Sequence, residues 1–130
     1  MFRFLRNNAN SNQPAIMMLP TTASTKYEVG DALVLSSGKL VKATGTTKPA
    51  YICAAKYNAP ASNMEDIAVY PVYETQEWET TLAVEGTLTP GTKVTVHTDA
   101  AQVTATTASG VAEVISADGS AIGSNVVVRF

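Results

Sequence analysis

The chain has 130 residues, one domain's worth, and is long enough to bury about two-thirds of the surface its unfolded form would expose. One cysteine, Cys53, excludes an intramolecular disulfide, and together with the single histidine, His97, it falls short of a Cys/His zinc set, so neither metal nor cofactor is expected. A net charge of −2 with 15% charged residues supplies no basic field for phosphates, and no apolar run approaches the roughly 20 residues of a membrane span; neither nucleic acid nor membrane is an expected partner.

Residues 1–26 read as an extended N-terminal arm. The opening MFRFLRNNANSNQ carries Arg3 and Arg6, but only Phe2, Phe4 and Leu5 are apolar before the run of Asn and Gln, so the hydrophobic stretch of an export signal is missing. A protein made and used without export is the default. The polar spacer NNANSNQP cannot bury enough apolar surface to offset its ordering entropy, so order there must come from a partner or from the chain's own body. An apolar cluster, Ile16, Met17, Met18 and Leu19, closes the arm.

From Tyr27 the pattern changes to short strands rich in Thr and Val, separated by Gly- and Pro-marked turns, with no long helical periodicity. GDALVL (30–35), the turn Ser36-Ser37-Gly38 and KLVKA (39–43) predict a hairpin. AYICAAKY (50–57) and IAVYPVY (67–73) follow as strands. EWETTLAV (77–84) alternates, placing Trp78, Leu82 and Val84 on one face and Glu77 and Glu79 on the other. TKVTVH (92–97), QVTAT (102–106), GVAEVI (110–115) and NVVVRF (125–130) then repeat the order hairpin, strand, turn, strand.

Aligning Gly30 with Gly91, Tyr51 with Val111 and Val69 with Val127 gives offsets of 61, 60 and 58 residues. The expected fold is therefore mainly β, a small barrel or sandwich-like domain over 27–130, built from two related β units, 27–73 and 88–130, joined by EWETTLAV.

Little in this pattern demands catalysis. His97 shares a strand face with Lys93 and Thr95 and reads as solvent-facing, while Cys53, with no second histidine to build a dyad around, reads as a small buried apolar residue. The acids Glu65, Asp66, Glu74, Glu77, Glu79 and Glu85 form a stretch without Lys or Arg, but Glu77 and Glu79 point to one strand face rather than across a cleft, as a solvated acidic face would. No phosphate-binding or calcium-loop spacing occurs. The expectation is a protein that is not an enzyme.

IAVYPVY stands out because both its faces are apolar or aromatic. Such a strand is central in a closed core or covered by a partner. Pro71, which donates no ladder hydrogen bond, argues for an edge or bulge, and that makes Tyr70, Pro71 and Tyr73 candidates for an oligomer interface.

Residues 30–79, GDALVLSSGKLVKATGTTKPAYICAAKYNAPASNMEDIAVYPVYETQEWE, resemble the body of lambda-type bacteriophage capsid decoration (head-stabilising) proteins, with the Ser/Gly turn, the KLV strand and the Gly-Thr-Thr loop at matching spacing. The arm that ends in an apolar cluster at 14–20 is also similar, whereas the half from Leu88 to Phe130 departs from the pattern. The resemblance implies a structural virion protein, made in the bacterial host cytoplasm. It would add to the outer surface of an expanded capsid, commonly as a homotrimer, and clamp neighbouring major capsid subunits against internal pressure. It also implies an arm that attaches to the capsid: Arg3 and Arg6 would pair with capsid acids, Phe2, Phe4 and Leu5 would fill apolar hollows, and Ile16, Met17 and Leu19 would add a second patch. The competing class is a virion-displayed carbohydrate-binding or adhesion module, with Tyr51, Tyr57, Tyr70, Tyr73 and Trp78 as a stacking platform.

Overall fold

The computed structural model describes residues 1–9 and 13–130; Asn10 to Asn12, in the middle of the polar spacer, lie outside the described residues. The described chain is all β. In order its strands are β1 (Arg3–Asn7), β2 (Met17–Leu19), β3 (Lys26–Tyr27), β4 (Ala32–Ser36), β5 (Lys39–Lys42), β6 (Tyr51–Cys53), β7 (Tyr57–Asn58), β8 (Ile67–Pro71), β9 (Gln76–Thr81), β10 (Lys93–Val94), β11 (Ala112–Ala117) and β12 (Asn125–Arg129). One sheet has the order β2-β8-β6-β4-β5 and a second the order β1-β9-β12-β11-β10, while β3 and β7 pair by themselves. The arrangement is sandwich-like. Each five-stranded sheet curls until the segment after its β2 or β9 strand meets the far side through a single parallel bridge, Thr21 to Leu40 in one and Leu82 to Val103 in the other.

Alternation along the strands builds the layers. Ala32 and Ile52 of the first sheet pack with Trp78, Val114, Val126 and Val128 of the second in the larger core. Their neighbours Leu33, Cys53, Ile67 and Val69 point the opposite way into a second core, where Tyr27, Tyr57 and Ala59 pack with them. The Tyr27 hydroxyl donates to the Leu40 carbonyl at 2.7 Å, so its one polar atom is satisfied inside. The first sheet is thus covered on both faces and the second on one. That explains the two apolar faces of IAVYPVY without a partner, and it corrects the expected edge: β8 lies between β2 and β6. Pro71 is buried at its end, beyond the last β2 pair at Met17–Val69, where no ladder donor is required.

The two halves share one hydrogen-bond framework. Gly30 N donates to Cys53 O and Cys53 N to Asp31 O; Gly91 N donates to Val114 O and Val114 N to Thr92 O. Ala50 N→Leu33 O has its counterpart in Val111 N→Val94 O, and Leu40 N→Pro20 O in Val103 N→Thr81 O. Registers agree as well: Ala32 faces Ile52 as Lys93 faces Glu113, and Met17 faces Val69 as Trp78 faces Val128. The repeat boundaries therefore differ from 27–73 and 88–130. EWETTLAV does not join two units; its strand β9 is the first strand of the second unit, equivalent to β2, and the units begin near Met17 and Trp78. The offset is 61 residues from Met17 and Trp78 to Cys53 and Val114, except that it rises to 63 at Leu40 and Val103 because the hairpin turn is longer in the second unit, and it is 59 afterwards, because the turn before the last strand is shorter there.

The arm is the second correction. Residues 1–7 do not stand apart from the domain: Phe2 is only 2% exposed, Phe2 N donates to Gly30 O at 2.9 Å, and β1 adds antiparallel to β9. Alternation in FRFLRN is masked by a bulge. Arg3 faces Glu79 and Phe4 faces Trp78, then the register slips at Leu5 so that Arg6 faces Glu77.

Candidate interaction surface

The expected clamp residues fall into two groups. Phe2 meets Phe130 edge-to-face with centroids 5.3 Å apart, and Phe4 meets Trp78 at 5.6 Å, so both aromatics are committed to the chain's own core. Arg3 is ion-paired with Glu79 and Arg6 with Glu77, whose other carboxylate oxygen accepts from Asn8 Nδ2 at 3.1 Å. Of the acids expected to form a solvated face, Glu77 and Glu79 are thus met by the arm's two arginines. Burial pushes the Glu77 carboxyl up, but its hydrogen bonds from Asn8 and Arg6 outweigh that and hold it below the usual carboxylate range. The charge pattern runs on across the outer face of the second sheet, where Glu113 lies opposite both Arg129 and Lys93. Arg129 Nη2 sits 2.9 Å from Glu113. A groove of about 400 Å³ beside it is lined by Lys48, Glu74, Lys93, Glu113, Arg129 and Phe130, a balance of both signs.

The second group remains at the surface. Ile16 is 56% exposed, Met17 41% and Met18 59%, and Leu5 is exposed on the outside of β1. Leu19 is turned toward the smaller core, so within this cluster the free apolar surface lies at 16–18, with Met18 the most open of the three. Alternation alone would have hidden one of the two methionines; both stay open because β2 is an edge strand with nothing packed over its outer side among the described residues.

The proposed interface residues divide likewise. Pro71 is buried, Tyr70 packs against the larger core, and Tyr73 is exposed. Trp78 is buried, which removes it from any stacking platform, and its Nε1 has no hydrogen-bond partner among the described residues. Val84, expected beside Trp78 inside, is exposed, because β9 ends at Thr81 and the alternation ends with it.

The remaining reactive groups are apart. Cys53 is buried, its thiol donates to Ala55 O at 3.0 Å, and burial pushes its pKa up, so it is a poor nucleophile. His97 lies beyond the end of β10, and its Nδ1 is 3.3 Å from Asp99 on the turn that follows. Among the described residues no three His, Cys, Asp or Glu side chains converge on a metal-sized site. Among the described residues no helix is long and apolar enough to cross a membrane. Compared with protein-family models, with curated proteins and with solved structures, the chain matches none.

Proposed function

We propose that this chain is a structural, non-enzymatic virion protein that binds the outer surface of an expanded phage capsid as a homotrimer and stabilises the head by holding neighbouring major capsid subunits. The observation that carries the reading is the uncharged, exposed run Ile16–Met18 at the open edge of the first sheet. The resemblance over residues 30–79 supplies the kind of partner. Capsid contact then belongs to Leu5 and Ile16–Met18, since Phe2, Phe4, Arg3 and Arg6 are engaged within the chain. Tyr73 is the exposed aromatic open to a trimer contact. Modest affinity per site suffices, because attachment at several subunits multiplies the effective strength.

Sedimentation of purified protein with expanded capsids that lack it is the test. Saturable binding, lost in Ile16→Asp/Met18→Asp protein that keeps its thermal midpoint, is the expected result. No binding, or selective recognition on a glycan array, would replace this reading with the adhesion module.

A further inference from the structure

Internal symmetry shows what β2 is missing. In the second unit β9 has two neighbours, β12 on one side and β1 on the other. In the first unit its equivalent β2 has β8 on one side and, among the described residues, nothing on the other. The open side presents ladder groups. Ala54 N donates to Ala68 O and Val72 N to Ala50 O, so the even residues of β8 face β6 and the odd ones, Ile67 and Val69, face β2. Their partners Leu19 and Met17 face back, which leaves the amide and carbonyl of Met18 directed outward. The counterpart of Met18 on β9 is Glu79, and that is where Arg3 of β1 pairs.

The other edges are guarded. β1 carries Arg3 and Arg6, β5 carries Lys39 and Lys42 and is partly capped by the Leu40 N→Pro20 O bond, and the segment at Val103 lies beside β10 through its bridge to Val96. Charges on an edge strand deter pairing with other chains. β2 has no charge, and exposes Ile16, Met17 and Met18 between Pro14 and Pro20, which limit the open edge to about one short strand.

The geometry points to β2 as the berth for an extended, uncharged segment of another protein, alternating in apolar residues, which adds antiparallel to its outer edge as β1 adds to β9. The chemistry of the occupant follows from the contrast between the two berths. On β9 the incoming strand meets Glu77 and Glu79 and brings arginines; on β2 it meets methionines, and a charge placed there would be desolvated without a partner. Flexible thioethers accept varied apolar side chains, so main-chain bonds set the register and the methionines tolerate the sequence. The berth is named by the kind of ligand it takes, and stands whether or not the partner is a capsid.

The test uses the full chain and a synthetic peptide of alternating Thr and Val with a lysine at each end, outside the paired stretch, followed by backbone NMR and amide exchange. Expected are shifts confined to Ile16–Leu19 and the adjoining β8, slower exchange of the Met18 amide, and no response to the same peptide N-methylated along its outward-bonding edge. Met18→Pro, which removes the outward amide, should weaken binding about tenfold or more, the worth of one good hydrogen bond. Should that variant misfold, Met18→Lys, which guards the edge without touching the backbone, serves instead. Binding centred on β1 or β5, equal binding by the N-methylated peptide, or no protection of Met18 at millimolar peptide would overturn the inference.

Discussion

The two repeats are alike in hydrogen bonding and unlike in what surrounds them. Gly30 and Gly91 both sit at φ +87° and open the same turn, with Asp31 N donating to Glu28 O as Thr92 N donates to Thr89 O, each at 3.1 Å. Yet Asp31 is buried and paired with Lys42 at 3.1 Å, whereas Thr92 closes its turn with a hydroxyl. The first sheet is roofed by β3 and β7 and leaves β2 open at its edge; the second has a solvated charged face and is completed at its edge by β1. Backbone framework and side-chain environment are thus separable. One ladder serves a doubly covered sheet and a singly covered one, and the difference is written in the side chains and in one extra strand.

Equivalent positions with different surroundings sharpen that separation most. Trp78 and Met17 occupy the same place in the two ladders, but Trp78 is buried between β1 and the larger core while Met17 is exposed. Trp78→Ala should cost about 3–5 kcal/mol in denaturant unfolding, and Met17→Ala at most about 1 kcal/mol. Phe2→Ala should fall in the same range as Trp78→Ala, and removal of residues 1–7 should cost more still, since it uncovers Trp78 and unpairs Glu77. An arm that could be removed without loss of stability would mean that β1 is an accessory and that the second unit closes without it.

Much of this organisation is legible in the residues. The Ser37-Gly38 hairpin turn is signalled by its small residues, and both adopt positive φ, as a two-residue type I′ turn requires. The recurrence of hairpin, strand and strand near 61 residues marks the duplication. What hid the rest has physical causes. The bulge at Leu5 breaks the alternation of FRFLRN, so β1 read as an arm, although acids on Glu77 and Glu79 and two arginines upstream were complementary. AYICAAKY split into β6 and β7 because the chain leaves the sheet after Cys53 to pair with β3. For the interaction surface, the apolar run at 16–19 is visible in the sequence, but only the pairing of β2 shows that Leu19 turns inward and Met18 outward.

A smaller effect is expected where the two glycines differ. Any side chain at φ +87° incurs about 1–2 kcal/mol, so Gly91→Ala, where a Cβ would meet nothing within 4 Å, should cost that much. At Gly30 the same Cβ would sit 2.9 Å from the Phe2 carbonyl oxygen and against the Met1 side chain. Gly30→Ala should therefore be the more destabilising of the pair, and should loosen the amide protection of β1 while Gly91→Ala leaves it intact. Equal costs and unchanged β1 protection would show that the N-terminal docking adds nothing at this turn.

The smallest difference concerns the acids that β1 covers. Glu77 and Glu79 are both paired with arginines, but Arg3 and Arg6 are themselves largely exposed, so each ion pair is screened by water and neither is worth its full Coulomb attraction. What distinguishes Glu77 is that burial raises its pKa while the hydrogen bonds from Asn8 and Arg6 outweigh that and keep the folded pKa below the ordinary carboxylate value. A lowered pKa means that the folded chain binds fewer protons than the unfolded one in that window. The stabilisation from Glu77 is therefore complete above the ordinary carboxylate range and is lost as pH falls through it toward the lowered value. Glu77→Gln should cost about 1 kcal/mol near neutral pH and flatten the acid limb of a plot of unfolding free energy against pH, while Glu79→Gln should cost about a few tenths of a kcal/mol near neutral pH. Urea unfolding at intervals from neutral to acid pH measures both, and an acid limb unchanged by Glu77→Gln would show that Glu77 does not carry the pH dependence.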